Sequence, residues 1–161
     1  MKTLFLVRHA KSSWELPVGD KERPLKTRGL KDAHLVANKF LERENFPVKI
    51  FTSPAKRAIE TCKIFVNISE KDDLDVSIID DLYDFNGTNV IKFLQNLDKS
   101  LDSVMIFGHN HAFTSISNIF GDRYIENLPT SGLVKINFDT NDWSHIEHGQ
   151  TELIIFPKDL R

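Results

Sequence analysis

Two arginines and two histidines stand where an α/β chain places its chemistry. Leu4-Phe5-Leu6-Val7 is an unbroken apolar run that ends on Arg8-His9, and Val104-Met105-Ile106-Phe107 is another that ends on Gly108-His109. Between them, Val48-Lys49-Ile50-Phe51 leads into Ser53-Pro54 and a helical pattern with Arg57 in its first turn. Short apolar runs bounded by polar residues read as strands buried on both faces. Open parallel sheets bind ligands at the carboxyl ends of such strands. Arg8, His9, Arg57 and His109 therefore fall along one sheet edge. Guanidinium forks and helix N-termini suit a compact tetrahedral dianion. Neighbouring cations favour the neutral, attacking form of an imidazole, and they stabilise the charge of a phosphoryl group in transfer. The pattern fits phosphoryl transfer to a histidine. The plain alternative, independent surface residues, requires three strand ends to be basic by chance.

The elements that must position these residues alternate between strand and helix. Further strands are expected at 76–79, 133–138 and 152–156. Thr27 is placed to cap a helix through Glu42, with Leu30, Ala33, Ala37, Phe40 and Leu41 facing inward and Gly29 weakening its first turn. Ser53 as N-cap and Pro54 at the first helical position open a second helix whose inner face is Ala58, Thr61, Cys62 and Phe65. Shorter helices follow at 90–97 and 112–120. This order predicts one α/β domain spanning residues 1–161, a three-layer α/β/α sandwich with a largely parallel central sheet. Two loops border the proposed edge. Residues 13–27, with Pro17, Gly19 and Pro24, form a long one, and such loops are usually functional or mobile. Residues 80–89 form an acidic one.

Composition narrows the partners. A net charge of −2 over 161 residues offers no global field for nucleic acid or a membrane surface, so any basic site must be local. No apolar run reaches transmembrane length. The N-terminus opens directly into a strand without a leader pattern, and the single Cys62 cannot form an internal disulfide, so a cytoplasmic setting is expected. Cys62 reads as a small core residue, and His34, His145 and His148 as solvated. There is no glycine-rich loop with lysine for a nucleotide. His109-x-His111 lacks a third ligand at matching spacing. Neither metal nor organic cofactor is expected.

The segments also resemble a known family. Leu6-Val7-Arg8-His9-Ala10-Lys11-Ser12 is similar to the Arg-His-Gly signature of the histidine phosphatase superfamily. Ser53-Pro54-Ala55-Lys56-Arg57-Ala58-Ile59-Glu60-Thr61 resembles its second block and Gly108-His109-Asn110 its third. Arg23-Pro24-Leu25-Lys26-Thr27-Arg28-Gly29 and Thr130-Ser131-Gly132 resemble segments of its SixA-type phosphohistidine phosphatase branch. The resemblance implies a phosphoglycerate-mutase-like fold. It makes His9 the nucleophile that carries a transient phosphoryl group, Arg8 and Arg57 the phosphate clamp, His109 a donor to the phosphate, and Arg23 a further contact particular to this branch.

Two positions depart from the family pattern. Ala10 replaces the usual glycine, with a slight loop shift expected. Glu15 stands where mutase-like members carry an asparagine that touches phosphate, and a carboxylate there is expected to point away. Ester hydrolysis in this family uses a carboxylate to protonate the leaving oxygen. Asp80, Asp81 and Asp84 occupy the appropriate loop, with Asp81 favoured by position. A missing acid would push the activity toward phosphohistidine, whose P–N bond is labile. No capping insertion separates the motifs, so an open site is expected, with Trp14 and Phe85 at its mouth. That suits phosphohistidine on a partner protein, such as a phosphotransfer domain or phosphocarrier. The alternatives are a broad phosphomonoesterase acting on small phosphorylated substrates and a non-catalytic module that binds a phospho-ligand.

Overall fold

The structure, a computed structural model covering residues 1–161, opens with strand β1 (Lys2–Arg8), helix α1 (Thr27–Arg43), strand β2 (Lys49–Thr52) and helix α2 (Lys56–Ser69). Strand β3 (Asp75–Ile78), helix α3 (Thr88–Gln95), strand β4 (Ser103–Gly108) and helix α4 (Ala112–Phe120) come next. The chain then turns back through β5 (Leu133–Phe138) and β6 (Gln150–Ile155). The six strands form one sheet in the order β3-β2-β4-β1-β5-β6. β3, β2, β4 and β1 run parallel, and β5 and β6 close one side antiparallel.

β1 is fully paired because it lies inside the sheet, and its side chains divide between two cores with the period of a strand. Leu4 and Leu6 join the core beneath α3 and α4, and Phe5 and Val7 join the one beneath α1 and α2. β4 repeats the split, with Val104 and Ile106 on the first side and Met105 and Phe107 on the second. This two-sided burial explains why both segments read as continuous apolar runs.

Several boundaries differ from the sequence reading. The inner face of α1 is Gly29, Ala33, Val36, Ala37 and Phe40, while Leu30 and Leu41 are exposed. At about 100° per residue those two leucines fall on the flanks of the stripe. Gly29 is there for close approach: a Cβ would lie 2.2 Å from the Lys11 carbonyl oxygen, so α1 seats directly on the backbone after β1. Thr27 is the first helical residue, and Lys26 precedes it without a side-chain cap. α2 begins at Lys56 with Ala55 in the cap position, so Ser53 is not its N-cap. β3 is a sheet-edge strand with mostly exposed residues and starts at Asp75, one residue earlier than expected. The loop after β1 also holds a single 3₁₀ turn, Asp20–Glu22. Its two ends are zipped together by the Ser12–Leu25 bridge and the Ser13 N–H to Pro24 carbonyl bond.

Candidate active site

Three parallel strands stop at the same level, and the backbone just past them is interlocked. His9 N–H donates to the Gly108 carbonyl and Ser53 N–H to the Phe107 carbonyl. Ser131 N–H lies 3.1 Å from both the Arg8 and His9 carbonyls, and Ala10 N–H donates to Thr61 Oγ1. Ala10 is fully buried, so its methyl group is accommodated where a glycine was usual. Arg8, His9, Arg57 and Arg23 line one pocket of about 600 Å³, with Trp14, Lys11, Lys26 and Asp20 at its rim. His109 is fully buried, its ring centroid 5.3 Å from that of His9. The five residues singled out from the sequence are thus brought together.

The hydrogen bonds assign the state of each imidazole. His9 Nδ1 lies 2.7 Å from the Ala10 carbonyl oxygen. A carbonyl only accepts, so Nδ1 carries the ring proton and Nε2 keeps its lone pair. Burial, followed by the charges of Arg57, Arg8 and Arg23, brings the His9 imidazolium down to about 3, outweighing the Ala10 carbonyl. His9 is therefore neutral at ordinary pH. His109 Nε2 lies 2.7 Å from Ser53 Oγ, which already accepts the Ala55 N–H. A guanidinium only donates, so Arg57 Nη2, 3.5 Å away, gives an N–H to His109 Nδ1, and the ring proton sits on Nε2, which donates to Ser53 Oγ. Burial, then His9 and Arg57, lowers the His109 pKa to about 2, with Tyr83 and Phe85 packed against its ring.

Each arginine is held by part of its guanidinium. Arg8 Nη1 donates to the Leu128 carbonyl. Arg57, only 2% exposed, donates through Nη1 to the Asp20 carbonyl and through Nη2 to Asp20 Oδ2. Arg23 Nε donates to Asp20 Oδ1, and its guanidinium stacks on Trp14 at 3.4 Å. What remains is telling: Arg8 Nε, Arg57 Nε and Arg23 Nη1 are buried without any partner. Unpartnered buried donors are costly, more so on a charged group. The three guanidinium groups share one pocket, and a tetrahedral oxyanion is the ligand suited to such a set of donors.

The acidic loop is used differently from expectation. Asp81, the favoured acid, is exposed on the turn Asp80–Leu82 and is not among the pocket residues. Asp84 is buried because its carboxylate caps α3, accepting N–H bonds from Asn86, Asn89 and Val90. The carboxylate at the pocket is instead Asp20, with Tyr83 donating to its Oδ2. Sequence reasoning missed Asp20 and Tyr83. The Asp20-x-x-Arg23 spacing, which puts both residues on one side of a single turn, was the available signal. Glu15 is exposed and lies outside the pocket, as its charge required. Cys62 is a core residue, and burial pushes its thiol up to about 12.

The comparisons with known proteins agree with this geometry. Residues 4–90 match the family model for the histidine phosphatase superfamily (branch 1). That span contains Arg8, His9, Arg23 and Arg57, and the chain belongs to the histidine phosphatase superfamily. It is 27% identical over 165 residues to an uncharacterized protein of Mycobacterium leprae (strain TN), covering 93% of this chain and 98% of that one. Its fold superposes with a TM-score of 0.83 on the protein histidine phosphatase SixA complexed with tungstate, at 20% identity and 99% coverage of both chains. A phosphoserine phosphatase of Entamoeba histolytica, in complex with 3-phosphoglyceric acid, superposes at 0.67, with 17% identity and 96% coverage of both. The mixed sheet is thus phosphoglycerate-mutase-like, and family membership supports a phosphatase activity.

Proposed function

We propose that this protein hydrolyses phosphohistidine on a partner protein, with His9 as the nucleophile. The observation that carries the reading is the His9–Ala10 hydrogen bond, which leaves a neutral imidazole with a free Nε2 lone pair among three guanidinium groups. In the first step that lone pair forms an N–P bond as the substrate's P–N bond breaks. The departing imidazole keeps the bonding electrons and takes a proton from solvent. Water then attacks phosphorus, releasing phosphate and restoring His9. Arg8, Arg57 and Arg23 hold the equatorial oxygens, and His109, beside His9, adds a donor as charge develops once its Nδ1 takes up a proton. These groups need no metal to hold the phosphate.

The choice of phosphohistidine rests on the far side of the phosphorus. An alkoxide leaving group needs a positioned acid. Asp80 and Asp81 are exposed, Asp84 is committed to α3, and Asp20 is ionised at neutral pH. A phosphoramidate departs without that help. The pocket is open and bears an exposed Trp14 (78%) and Phe85 (45%) at its mouth, which suits a side chain presented on a protein surface.

The test is a rapid quench with a labelled phosphodonor. The wild type should yield an acid-labile, base-stable phosphoryl adduct, and His9→Ala should lose both the adduct and roughly 10³-fold or more of the turnover. Neither adduct nor turnover in the wild type would favour a binding module. Hydrolysis of p-nitrophenyl phosphate as efficient as that of a phosphohistidine protein would favour a small-molecule phosphomonoesterase.

A further inference from the structure

A carboxylate inside an anion pocket needs a reason, because it repels the ligand that the pocket is built to hold. Asp20 is that carboxylate. It is 40% exposed, yet both of its oxygens and its backbone carbonyl are engaged: Oδ2 by Arg57 at 2.9 Å and Tyr83 at 2.5 Å, Oδ1 by Arg23 at 3.2 Å, and the carbonyl by Arg57 at 2.7 Å. Asp20 occupies Nη1 and Nη2 of Arg57 but leaves its Nε unpartnered, and it occupies Nε of Arg23 but leaves Nη1 unpartnered. Each guanidinium is therefore gripped at some donors and left unpartnered at others.

We propose that Asp20 is the positioning residue of this pocket: it fixes the Arg57 and Arg23 guanidinium groups so that their remaining donors meet the oxygens of the bound phosphoryl group. Without it, Arg23 is a long side chain on a loop, held only by its stack on Trp14. The order it supplies is set before substrate arrives, which reduces the entropy lost on binding. Asp20 also offsets one of the three arginine charges that converge on the pocket. Its carboxylate stays ionised through the working pH range. Against partial burial, the bonds from Tyr83 and Arg57 and the charges of Arg57 and Arg23 hold it down to about 2. Tyr83 completes the device from the opposite loop, with Lys21 against its ring.

This inference rests on the phosphoryl pocket proposed above, and tungstate binding separates the two. The affinity of the pure protein for tungstate and the kcat and KM for a phosphohistidine protein are measured for the wild type, Asp20→Ala, Asp20→Asn and Tyr83→Phe. Asp20→Ala should weaken tungstate binding about tenfold and raise KM more than it lowers kcat. Asp20→Asn, which keeps an acceptor oxygen, should recover part of that loss. Tyr83→Phe, a milder change that leaves both arginines paired, should cost a fewfold and guards against misfolding of the others. In an Arg23→Gln background, Asp20→Ala should cost less than it does alone, because one of its two arginine partners is gone. Tungstate binding by Asp20→Ala as tight as, or tighter than, that of the wild type would overturn the proposal and make Asp20 a competitor for the arginines. Additive costs in the double variant would overturn it as well. A wild type that binds no tungstate would overturn both readings.

Discussion

The pocket has two walls built on different principles. One is the strand-end wall of Arg8, His9, Ser53, Arg57 and His109, rooted in β1, β2 and β4. The other is the loop wall of Trp14, Asp20 and Arg23. On the first, backbone ladders and burial set most of the side chains, with Asp20 gripping Arg57 from across the pocket: His109 is fully buried and Arg57 nearly so. On the second, position comes from ion pairs and a stacked ring, and Trp14 and Asp20 face solvent. Rigid scaffold supplies the atoms proposed to react, and the loop supplies the contacts that adjust the clamp. That division is what an open site on an α/β sheet allows.

The sharpest way to probe the contrast is to remove one arginine from each wall. Arg57→Ala should lower kcat/KM by about 10²–10³-fold, since it deletes a donor to the transition-state oxygens and also releases Asp20. Arg23→Ala should cost roughly tenfold, because loop and substrate can readjust around its absence. Steady-state kinetics on a phosphohistidine protein measures both. Equal losses would erase the distinction between the walls.

The strand-end wall also makes a prediction about pH. His9 and His109 are neutral when folded, with pKa values depressed to about 3 and about 2, but titrate near 6.5 when unfolded. Below pH 6.5 the unfolded chain therefore binds protons that the folded one refuses. Stability should be full above about pH 6.5 and fall as the pH drops toward the folded values, by at most about 1.4 kcal/mol per pH unit for each histidine. Urea melts between pH 4.5 and 7.5 should show the slope, and His9→Asn should make it shallower. An unchanged slope would mean that the imidazoles titrate normally in the fold.

The smallest effect concerns the seam between the walls. Gly29→Ala would press a methyl group onto the Lys11 carbonyl, displacing α1 from the backbone that leads out of His9. A loss of about 1–3 kcal/mol is expected in the same melts, with some loss of activity. No change in stability would mean that the close approach is easily relaxed.

These walls differ as much in legibility as in construction. Arg8, His9, Arg57 and His109 could be placed from the chain alone because each is a fixed number of residues beyond an apolar run, and a strand delivers its last residue to one edge. Asp81, favoured by the same logic, is not delivered to the pocket lining. β3 lies at the sheet edge, and the Asp80–Leu82 turn that follows leaves Asp81 in solvent. Ser53 was flagged as a helix cap by its Ser-Pro sequence, but its hydroxyl is taken by His109 and the helix begins three residues later.

What the sequence by itself determined is the order of strands and helices, the two-faced apolar runs and the basic residues at their ends. All of these are periodic, short-range properties. Only the tertiary structure decided which carboxylate reaches the arginines, which nitrogen of His9 is free, and what Tyr83 is for. Asp20 lies 37 residues from Arg57 and 63 from Tyr83. Contacts across such distances depend on the path of a loop, and a loop's path is set by the surfaces it meets rather than by its own pattern.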